Sequence, residues 1–248
     1  MKKKTWFVLS VLGVLLFTTL NAVVLDNFVI MTEQYPPYNF EQNGLLKGIA
    51  TDIMVEMFKR DGSKKTIKDI QLLPWARGYK DVQDKPNTIL FAMTRSAERE
   101  KMFKWVGPIS PTKIVLHAKK SKKISIKSKE DIAKYHVGAI REDIGHQLLE
   151  KAGVKNVDLS ADMISNIKKL EADRIDLWAY EENVARWELK TQGKNLADYE
   201  SVYTLLSSDL YFAFHKSTPD ATISQIQKYL NDMKKDGTYQ KIMDKYLK

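Results

Sequence analysis

The chain has 248 residues, of which 44% are hydrophobic and 29% are charged. This composition indicates a globular protein with enough apolar side chains for a core, and the length allows one large domain or two small ones. The formal net charge is +9 and cysteine is absent, which excludes disulfides, cysteine metal sites and a lipid-modified N-terminal cysteine.

The first 22 residues have the pattern of a signal peptide. Three lysines at 2–4 precede an apolar segment at 6–20, and Ala22 supplies a small residue at a plausible cleavage point. We therefore predict export through a Sec-type leader and a periplasmic location. The alternative is an uncleaved membrane anchor, because no charged residue occurs between positions 5 and 25, and that length nearly spans a bilayer.

The positive charge outside the leader is scattered. The leader contains three of the lysines and no acid, which leaves a net charge of +6 on the rest of the chain. Small clusters occur at 119–123 and 234–235. Since an exported protein meets no nucleic acid, we interpret this charge as a source of solubility or of attraction to anionic surfaces, and we predict no nucleic-acid partner.

Strands and helices alternate in the first part of the chain. A loop rich in proline and aromatic residues follows the first strand, and glycine ends the first helix, as is common after a last helical turn. The alternation favours a parallel sheet covered by helices. Apolar patterns predict strands at 23–31, 70–73 and 88–93, and helices at 48–60 and from Pro74 onward.

The same alternation restarts after residue 110. A capping-box pattern begins at Ser128, and Gly237 separates the last long helix from a final short one. We predict strands at 111–118, 135–140, 174–180 and 210–214, and helices at 143–152, around 163–170, from about 182, and at 223–233.

Two α/β units of about a hundred residues each fit this order. If the C-terminal helices pack back on the first unit, two strands cross between the units and form a hinge, with a ligand cleft between the lobes. We therefore predict a two-lobed α/β protein. Its first lobe comprises 23–117 together with 209–248, and its second lobe comprises 118–208.

Residues 94–108 are the most informative stretch for function. Arg95 and Arg99 follow an apolar strand, and on one helical turn they would share a face and repel each other. A small anionic ligand would offset that repulsion, because guanidinium groups bind carboxylates in a bidentate manner. The alternative is intramolecular, with Glu98 and Glu100 neutralising the arginines on a solvated helix face.

The order of these features resembles the family 3 extracellular solute-binding proteins, the polar amino-acid receptors of ABC importers. The resemblance covers essentially all of the chain after the leader. It is carried by Tyr35-Pro-Pro-Tyr38, by Gly48-Ile-Ala-Thr-Asp52, by Thr94 five residues before Arg99, and by segments 137–138, 174–176 and 235–242.

The resemblance implies a periplasmic-binding-protein-like fold of type II with ligand-driven closure. It also implies an inner-membrane ABC permease as partner, a monomeric state, and neither a cofactor nor enzymatic activity. The expected ligand is a small polar molecule, an amino acid or a related zwitterion.

The same resemblance assigns four site residues. Arg99 matches the arginine that binds the α-carboxylate of the ligand, and Thr94 matches a hydroxyl donor to the same group. Tyr35 matches the aromatic residue that covers the ligand, and Glu181 matches the second-lobe acid that binds its ammonium. A ligand that lacks either charge would leave one buried charge unpaired, at a cost of several kcal/mol.

Two features depart from the family pattern. Where a glycine and a threonine or serine usually precede a helix, this chain has Glu142 and Asp143. Either Asp143 is a simple N-cap, or both acids face the cleft and select a ligand with extra positive charge. Arg95 is an additional cation that could favour a dicarboxylate or only pair with Glu98.

Aromatic residues and histidines give weaker indications. Trp75, Trp105 and Trp178 could line the cleft as apolar walls or cation–π partners, although such residues are also common in cores. Tyr38, in the Tyr-Pro-Pro-Tyr segment, is a further candidate for ligand binding. None of the four histidines is spaced as a metal pair, and there is no phosphate-binding loop, so we predict no metal and no cofactor.

We thus predict a periplasmic substrate-binding protein that captures a small, amino-acid-like ligand by lobe closure and delivers it to an ABC importer. Two alternatives use the same fold. One is a dehydratase of the cyclohexadienyl or arogenate type, with Glu142 or Glu181 as general acid or base. The other is a sensory ligand-binding module without a transporter.

Overall fold

The computed structural model describes residues 22–247. The predicted leader therefore lies outside the described residues, except for Ala22, and its cleavage stays a prediction. Within the described part of the chain, no helix combines the length and the apolar composition that a membrane crossing requires.

Residues 22–247 form ten β-strands, seven α-helices and five short 3₁₀ helices. The strands are β1 (Val29–Thr32), β2 (Phe40–Gln42), β3 (Leu45–Lys47), β4 (Ile70–Leu72), β5 (Thr88–Thr94), β6 (Phe103–Lys119), β7 (Val137–Ile140), β8 (Val157–Ser160), β9 (Leu177–Glu181) and β10 (Tyr199–His215). The helices are α1 (Ile49–Asp61), α2 (Trp75–Asp84), α3 (Ile144–Lys151), α4 (Met163–Glu171), α5 (Glu182–Thr191), α6 (Asp220–Lys235) and α7 (Thr238–Leu247).

Eight of these strands form one sheet in the order β4-β1-β5-β10-β6-β9-β7-β8, and β2 and β3 form a separate hairpin. Strands β4, β1 and β5 run parallel to one another, as do β9, β7 and β8. The strands β6 and β10, of 17 residues each, lie between these two groups and pair antiparallel. We call the group that contains β1 the first lobe and the group that contains β7 the second lobe.

The two long strands connect the lobes. The C-terminal part of β10 pairs with β5 of the first lobe, and the C-terminal part of β6 pairs with β9 of the second lobe. The predicted pair of hinge-crossing strands is therefore confirmed. The lobe boundaries at 117/118 and 208/209 stay a prediction.

The structure extends β6 and β10 beyond the predicted strands. The first half of each strand was missed because it lacks a clear strand pattern in the sequence. The first half of β6 contains Pro108, and proline normally indicates a strand edge or a break. The first half of β10 is only partly buried and has register shifts against β6. Strand β8 and the hairpin were not predicted, because their residues are mostly exposed or half-buried and no continuous apolar run marks them in the sequence.

A close contact between loop and helix fixes the start of α1. Gly48 has a φ of 124°, and a Cβ atom built there would lie 2.4 Å from the carbonyl oxygen of Tyr38. Only glycine fits this position without a shift of backbone. The contact holds the aromatic loop at 33–40 against α1 and so places Tyr35 and Tyr38 beside the sheet.

Two hydrophobic cores support the sheet. The smaller core lies in the second lobe and includes Leu116, Val137 and Leu177. The larger core begins in the first lobe and continues across the cleft to second-lobe residues such as Met163 and Tyr180. The lobes are therefore packed together in a closed arrangement.

We expect Asp61→Ala to lower the free energy of unfolding by about 2–4 kcal/mol. The buried carboxylate of Asp61 accepts hydrogen bonds from the N–H groups of Val24 and Leu25 and from the Tyr229 hydroxyl, 3.2 Å away. Without it, these donors lose their acceptor. Urea unfolding measures the change. The control Asp84→Asn removes an exposed ion pair with Lys80 and should leave the midpoint of urea unfolding unchanged. An equal loss of unfolding free energy in both variants would contradict the prediction.

Candidate functional site

A cavity of about 370 Å³ lies between the two lobes. The first lobe contributes Glu33 and Gln34 after β1 and residues 72–75 after β4. The second lobe contributes Ile140 at the end of β7, residues 161–164 after β8, and Tyr180 near the end of β9. All of these positions are carboxyl ends of parallel strands, where ligands bind in open α/β sheets.

Arg99 is fully buried beside this cleft and donates to three acceptors. Its Nη1 donates to the carbonyl oxygen of Thr94 at 3.2 Å, and its Nη2 to the carbonyl oxygen of Glu142 at 3.3 Å. Its Nε donates to Oε1 of Gln147 at 3.0 Å. Burial lowers the pKa of Arg99, an effect that Tyr79 and Asp143 oppose.

Aromatic rings and a main-chain carbonyl surround Arg99. The guanidinium carbon lies 5.3 Å from the ring centre of Trp75 and 4.9 Å from that of Tyr79, so aromatic rings cover it. Thr94 contacts the guanidinium through its main-chain carbonyl oxygen. The structure thus brings together Thr94, Trp75 and Arg99 and adds Gln147, which the sequence did not indicate. The roles of Arg99 and of the Thr94 hydroxyl toward a ligand carboxylate stay predictions.

Arg95 lies outside the cavity. Residues 97–102 form turns instead of the predicted helix, so Arg95 and Arg99 do not share a helical face. Arg95 donates to both carboxylate oxygens of Glu100, at 2.7 and 2.6 Å, and lies over the rings of Trp105 and Tyr211. The predicted pairing with Glu98 is wrong, because the turn directs Glu98 to Lys151 of the second lobe.

Glu142 contributes its backbone rather than its side chain. The side chain is exposed, and the residue has a φ of 61°, the left-handed conformation that glycine adopts most easily. Its carbonyl oxygen accepts from Trp75 Nε1 at 2.8 Å, from Gln147 Nε2 at 3.1 Å and from Arg99. The expectation that the Glu142 carboxylate faces the cleft is therefore wrong, since the strained turn aims the carbonyl there instead.

Asp143 occupies the N-cap position of α3, as one of the two sequence interpretations predicted, and it is 7% exposed. It makes no ordinary side-chain cap hydrogen bond. Burial raises the pKa of this carboxyl group, and Arg99 and the N–H groups of Ile144 and Gly145 offset that effect only in part. No ion pair joins Asp143 to Arg99 directly.

Glu33, which sequence reasoning missed, lines the cavity from the first lobe. It is 9% exposed, and its pKa lies well above the usual range because of burial and, secondly, the charge of Asp143. Arg99 offsets these effects only in part. An acid directly after the first buried strand was the signal that could have identified it.

Glu181 is fully buried at the end of β9. Its Oε2 accepts from the N–H of Val184 at 2.7 Å, whereas its Oε1 accepts no hydrogen bond within the described part of the chain. Burial raises the pKa of Glu181 to about 7. The hydroxyl of Tyr38 lies near this carboxyl group and accepts from Asn183 Nδ2 at 3.3 Å.

Three tyrosine rings pack against one another beside the cleft. The ring centres of Tyr35 and Tyr38 are 5.7 Å apart, and Tyr35 meets Tyr180 edge to face at the same distance. Trp178 is fully buried behind Tyr180, stacked on it at 5.0 Å, so Tyr180 lines the cavity and Trp178 does not. Among residues 22–247, no group of three or more His, Cys, Asp or Glu residues could hold a metal ion.

Comparison with known proteins identifies the family. The model of the bacterial extracellular solute-binding proteins, family 3, matches residues 28–248. The chain belongs to this family. One family relative is the L-cystine-binding protein TcyA of Bacillus subtilis, which is 23% identical over 86% of this chain and 77% of its own length. Another is a probable histidine-binding protein of Campylobacter jejuni, 23% identical over 86% of this chain and 81% of its own length.

Solved structures share the fold. An ancestral arginine-binding protein bound to arginine has a TM-score of 0.76 and 25% identity, covering 91% of this chain and all of that one. A histidine kinase sensor domain similar to periplasmic binding proteins has a TM-score of 0.78 at 18% identity, over 90% of this chain and 97% of that domain. At this identity the likeness concerns the fold alone. The predicted two-lobed fold of type II is confirmed.

We expect the unliganded protein to lose stability as the pH rises from about 5 to 8, with a contribution of roughly 3 kcal/mol from Glu181. Folding raises the pKa values of Glu33, Asp143 and Glu181. Each carboxyl group therefore binds its proton more tightly in the folded chain than in the unfolded chain. As a result, the free energy of unfolding falls as the pH rises from the unfolded-state pKa to the folded-state pKa.

Urea unfolding at several pH values measures this slope. Glu181→Gln replaces the carboxyl group by a neutral amide that can still accept from Val184, and it should flatten the slope between pH 5 and 8. Glu41→Gln, on the exposed strand β2, is the matched control. A slope that Glu181→Gln leaves unchanged would show that this carboxyl group ionises normally.

Proposed function

We propose that the protein captures a small, amino-acid-like solute that carries an ammonium group and delivers it to an ABC permease of the inner membrane. The observation that carries this proposal is the cavity enclosed by both lobes at the carboxyl ends of their strands, in a chain of the solute-binding family. Export to the periplasm and a monomeric, non-enzymatic binding role belong to the same proposal.

Closure is the step that couples binding to delivery. The lobes are joined across the cleft by the hydrogen bonds from Trp75 and Arg99 to Glu142 and by the contact between Asn183 and Tyr38. Two long strands make a hinge that can open, and a ligand held by both lobes shifts the equilibrium toward the closed form. The closed form then presents both lobes to a permease in one fixed geometry.

The chemistry of the cleft supports an ammonium-bearing ligand. The charges of three buried carboxyl groups, those of Glu33, Asp143 and Glu181, raise the pKa of Tyr180 after the larger effect of burial, and Arg99 supplies a buried guanidinium beside the cleft. A cationic group on the ligand would pair with them in a low dielectric, where such pairing is strongest. The named ligands of the relatives, cystine, histidine and arginine, are all amino acids.

A dehydratase is the second candidate function, favoured by one observation. Glu181 has a pKa of about 7, which suits a general acid or base near neutral pH. The other acid predicted for this role, Glu142, is exposed outside the cavity. Turnover of prephenate or arogenate by the purified protein would favour the enzyme; binding without turnover favours the solute-binding role.

A thermal-shift screen tests the main proposal. A ligand that binds only the folded state stabilises it by about 2.7 kcal/mol when the free ligand is at a hundredfold excess over Kd. This stabilisation raises the melting temperature. The screen includes amino acids, amines, dicarboxylates and short peptides, and small-angle scattering with a hit reports closure. Co-purification with a permease distinguishes a transport protein from a sensory module that binds the same ligand.

We expect Trp75→Phe to weaken ligand binding roughly fivefold, which corresponds to the loss of one hydrogen bond of about 1 kcal/mol. The variant keeps an aromatic ring beside Arg99 but removes the indole N–H that joins the lobes at Glu142. Calorimetric titration measures the affinity. The control Trp105→Phe removes an indole N–H that donates to Glu100 outside the cleft. An equal effect of both variants would contradict a role in closure.

A further inference from the structure

Apolar side chains from both lobes line the cavity between them. They are Leu72, Leu73 and Trp75 of the first lobe and Ile140, Met163 and Ile164 of the second. These residues stand at the ends of strands or in the first turn of a helix, so they reach the cleft from two sides of the sheet. We call them the apolar wall. A polar group that is buried against such a wall without a hydrogen-bond partner loses free energy, whereas a hydrocarbon group gains it.

Two polar side chains that line the cavity are engaged within their own lobes. Gln34 Oε1 accepts from the N–H of Glu41 at 2.9 Å, and Gln34 Nε2 donates to the carbonyl oxygen of the same residue at 3.4 Å. Asp162 is the N-cap of α4, where its carboxylate accepts from the N–H of Ser165 at 2.7 Å and from the Ser165 hydroxyl at 3.2 Å. Both side chains therefore serve the local fold.

The polar atoms of the two aromatic lining residues are engaged as well. Trp75 Nε1 donates to the carbonyl oxygen of Glu142 at 2.8 Å. The hydroxyl of Tyr180 donates to the sulfur of Met163 at 3.9 Å, a contact between two members of the cavity lining. These rings therefore offer the cavity mainly their apolar surface.

Glu33 is the exception among the polar lining residues. Its side chain lines the cavity and is 9% exposed, yet its carboxyl group accepts no hydrogen bond and forms no ion pair among residues 22–247. Its main chain is fixed, because its carbonyl oxygen accepts from Asn39 Nδ2 at 2.8 Å. A buried carboxyl group without a donor is unfavourable, and a cationic group of a ligand would supply the missing partner.

The size of the cavity limits the ligand to one small molecule. Its volume of about 370 Å³ lies near the lower end of the range for ligand pockets, which is roughly 300–1,000 Å³. Such pockets combine apolar walls with a few polar groups that fix the orientation of the ligand. Here the apolar wall comes from both lobes, and the free polar side chain is that of Glu33.

We propose that the cleft selects a small ammonium compound with an apolar side chain. The ammonium group pairs with Glu33, and the hydrocarbon or aromatic part lies against the apolar wall. This rests on the proposed function, because it specifies the solute that the cleft captures. Closure removes the wall and the apolar part of the ligand from water together, so each methylene group adds to the affinity. A polar side chain of the same size would lose its hydrogen bonds to water there.

A homologous series of amino acids tests this inference. Alanine, 2-aminobutyrate, norvaline and norleucine have the same charged groups and differ by one methylene group at each step. Calorimetric titration of the purified protein, at one pH and ionic strength, gives the Kd of each. We expect the Kd to fall about threefold to fourfold with each added methylene group. We also expect leucine to bind about tenfold or more tightly than asparagine, which has nearly the same size and a polar side chain.

The variant Leu72→Asn assigns the increment to the apolar wall. Leu72 lies on the edge strand β4 and is 36% exposed, so the exchange leaves the packed core intact. It should raise the Kd of norleucine about fivefold and reduce the gain per methylene group. The control Leu45→Asn makes the same exchange at a residue that is 69% exposed on β3, outside the cavity, and should change neither quantity.

The variant Glu33→Gln assigns the ammonium group. It keeps the size of the side chain and removes its charge, so it should raise the Kd of every member of the series about tenfold or more and leave the gain per methylene group unchanged. The control Glu41→Gln makes the same exchange on the exposed surface of the first lobe and should change nothing. Thermal unfolding without ligand confirms that each variant is folded.

The outcomes are distinguishable. An affinity that rises along the series, with a smaller gain in Leu72→Asn and a uniform loss in Glu33→Gln, supports the inference. An affinity that is independent of chain length, or tighter binding of asparagine than of leucine, overturns the inference and leaves the proposed function intact. The same holds if only compounds without an apolar side chain bind, or if either variant keeps the affinities of the unaltered protein. If no member of the series and no compound of the wider screen binds, the proposed function fails, and the inference fails with it.

Discussion

A charge buried between two lobes must be paired there, and the closed form of this protein is organised by that constraint. Arg99 meets it with acceptors from both lobes: the carbonyl of Thr94 on its own side, and the carbonyl of Glu142 and the amide of Gln147 on the other. Each hydrogen bond from a guanidinium is charge-assisted and therefore stronger than a neutral one. Opening the hinge breaks the two that cross the cleft.

The acids in the same cleft are not paired in this way. Glu33, Asp143 and Glu181 are buried without an ion-pair partner in the described part of the chain, and burial raises the pKa of each. Closure without a ligand therefore favours protonation of these groups. Near neutral pH, ionisation of these carboxyl groups destabilises the closed form, whereas the hydrogen bonds of Arg99 stabilise it. Under the proposed function, a cationic group on the ligand would remove the opposition and so favour the closed form.

The hinge connects the charges in the cleft to the relative position of the two lobes. Strands β6 and β10 run through both lobes and pair with each other over most of their length, so the lobes share one eight-stranded sheet. The long strands pass from one lobe to the other, and a hinge can bend there while each lobe keeps its own parallel strands. Small changes in charge at the cleft can therefore move whole lobes, since packed lobes do not deform continuously.

Most of the architecture was predictable from local patterns. The order of strands and helices and the glycine after α1 follow from apolar periodicity and capping residues, which act over a few neighbouring positions. The crossing of two strands depended on the further assumption that the C-terminal helices pack back on the first unit, which the family resemblance also implied. The first halves of β6 and β10 were missed because proline and partial burial hide their pattern. Strand β8 is only partly buried and has no continuous apolar run.

The candidate site was also only partly predictable from the sequence. By itself, the sequence indicated alternating strands and helices in two α/β units, because apolar periodicity and capping residues act over neighbouring positions, and its family resemblance pointed to Arg99 and Glu181. Only the tertiary structure decided that Arg95 pairs with Glu100, that Glu142 offers its carbonyl, and that Glu33 lines the cavity. These contacts join residues far apart in the chain, or depend on the direction of one turn, and neither is encoded in local spacing.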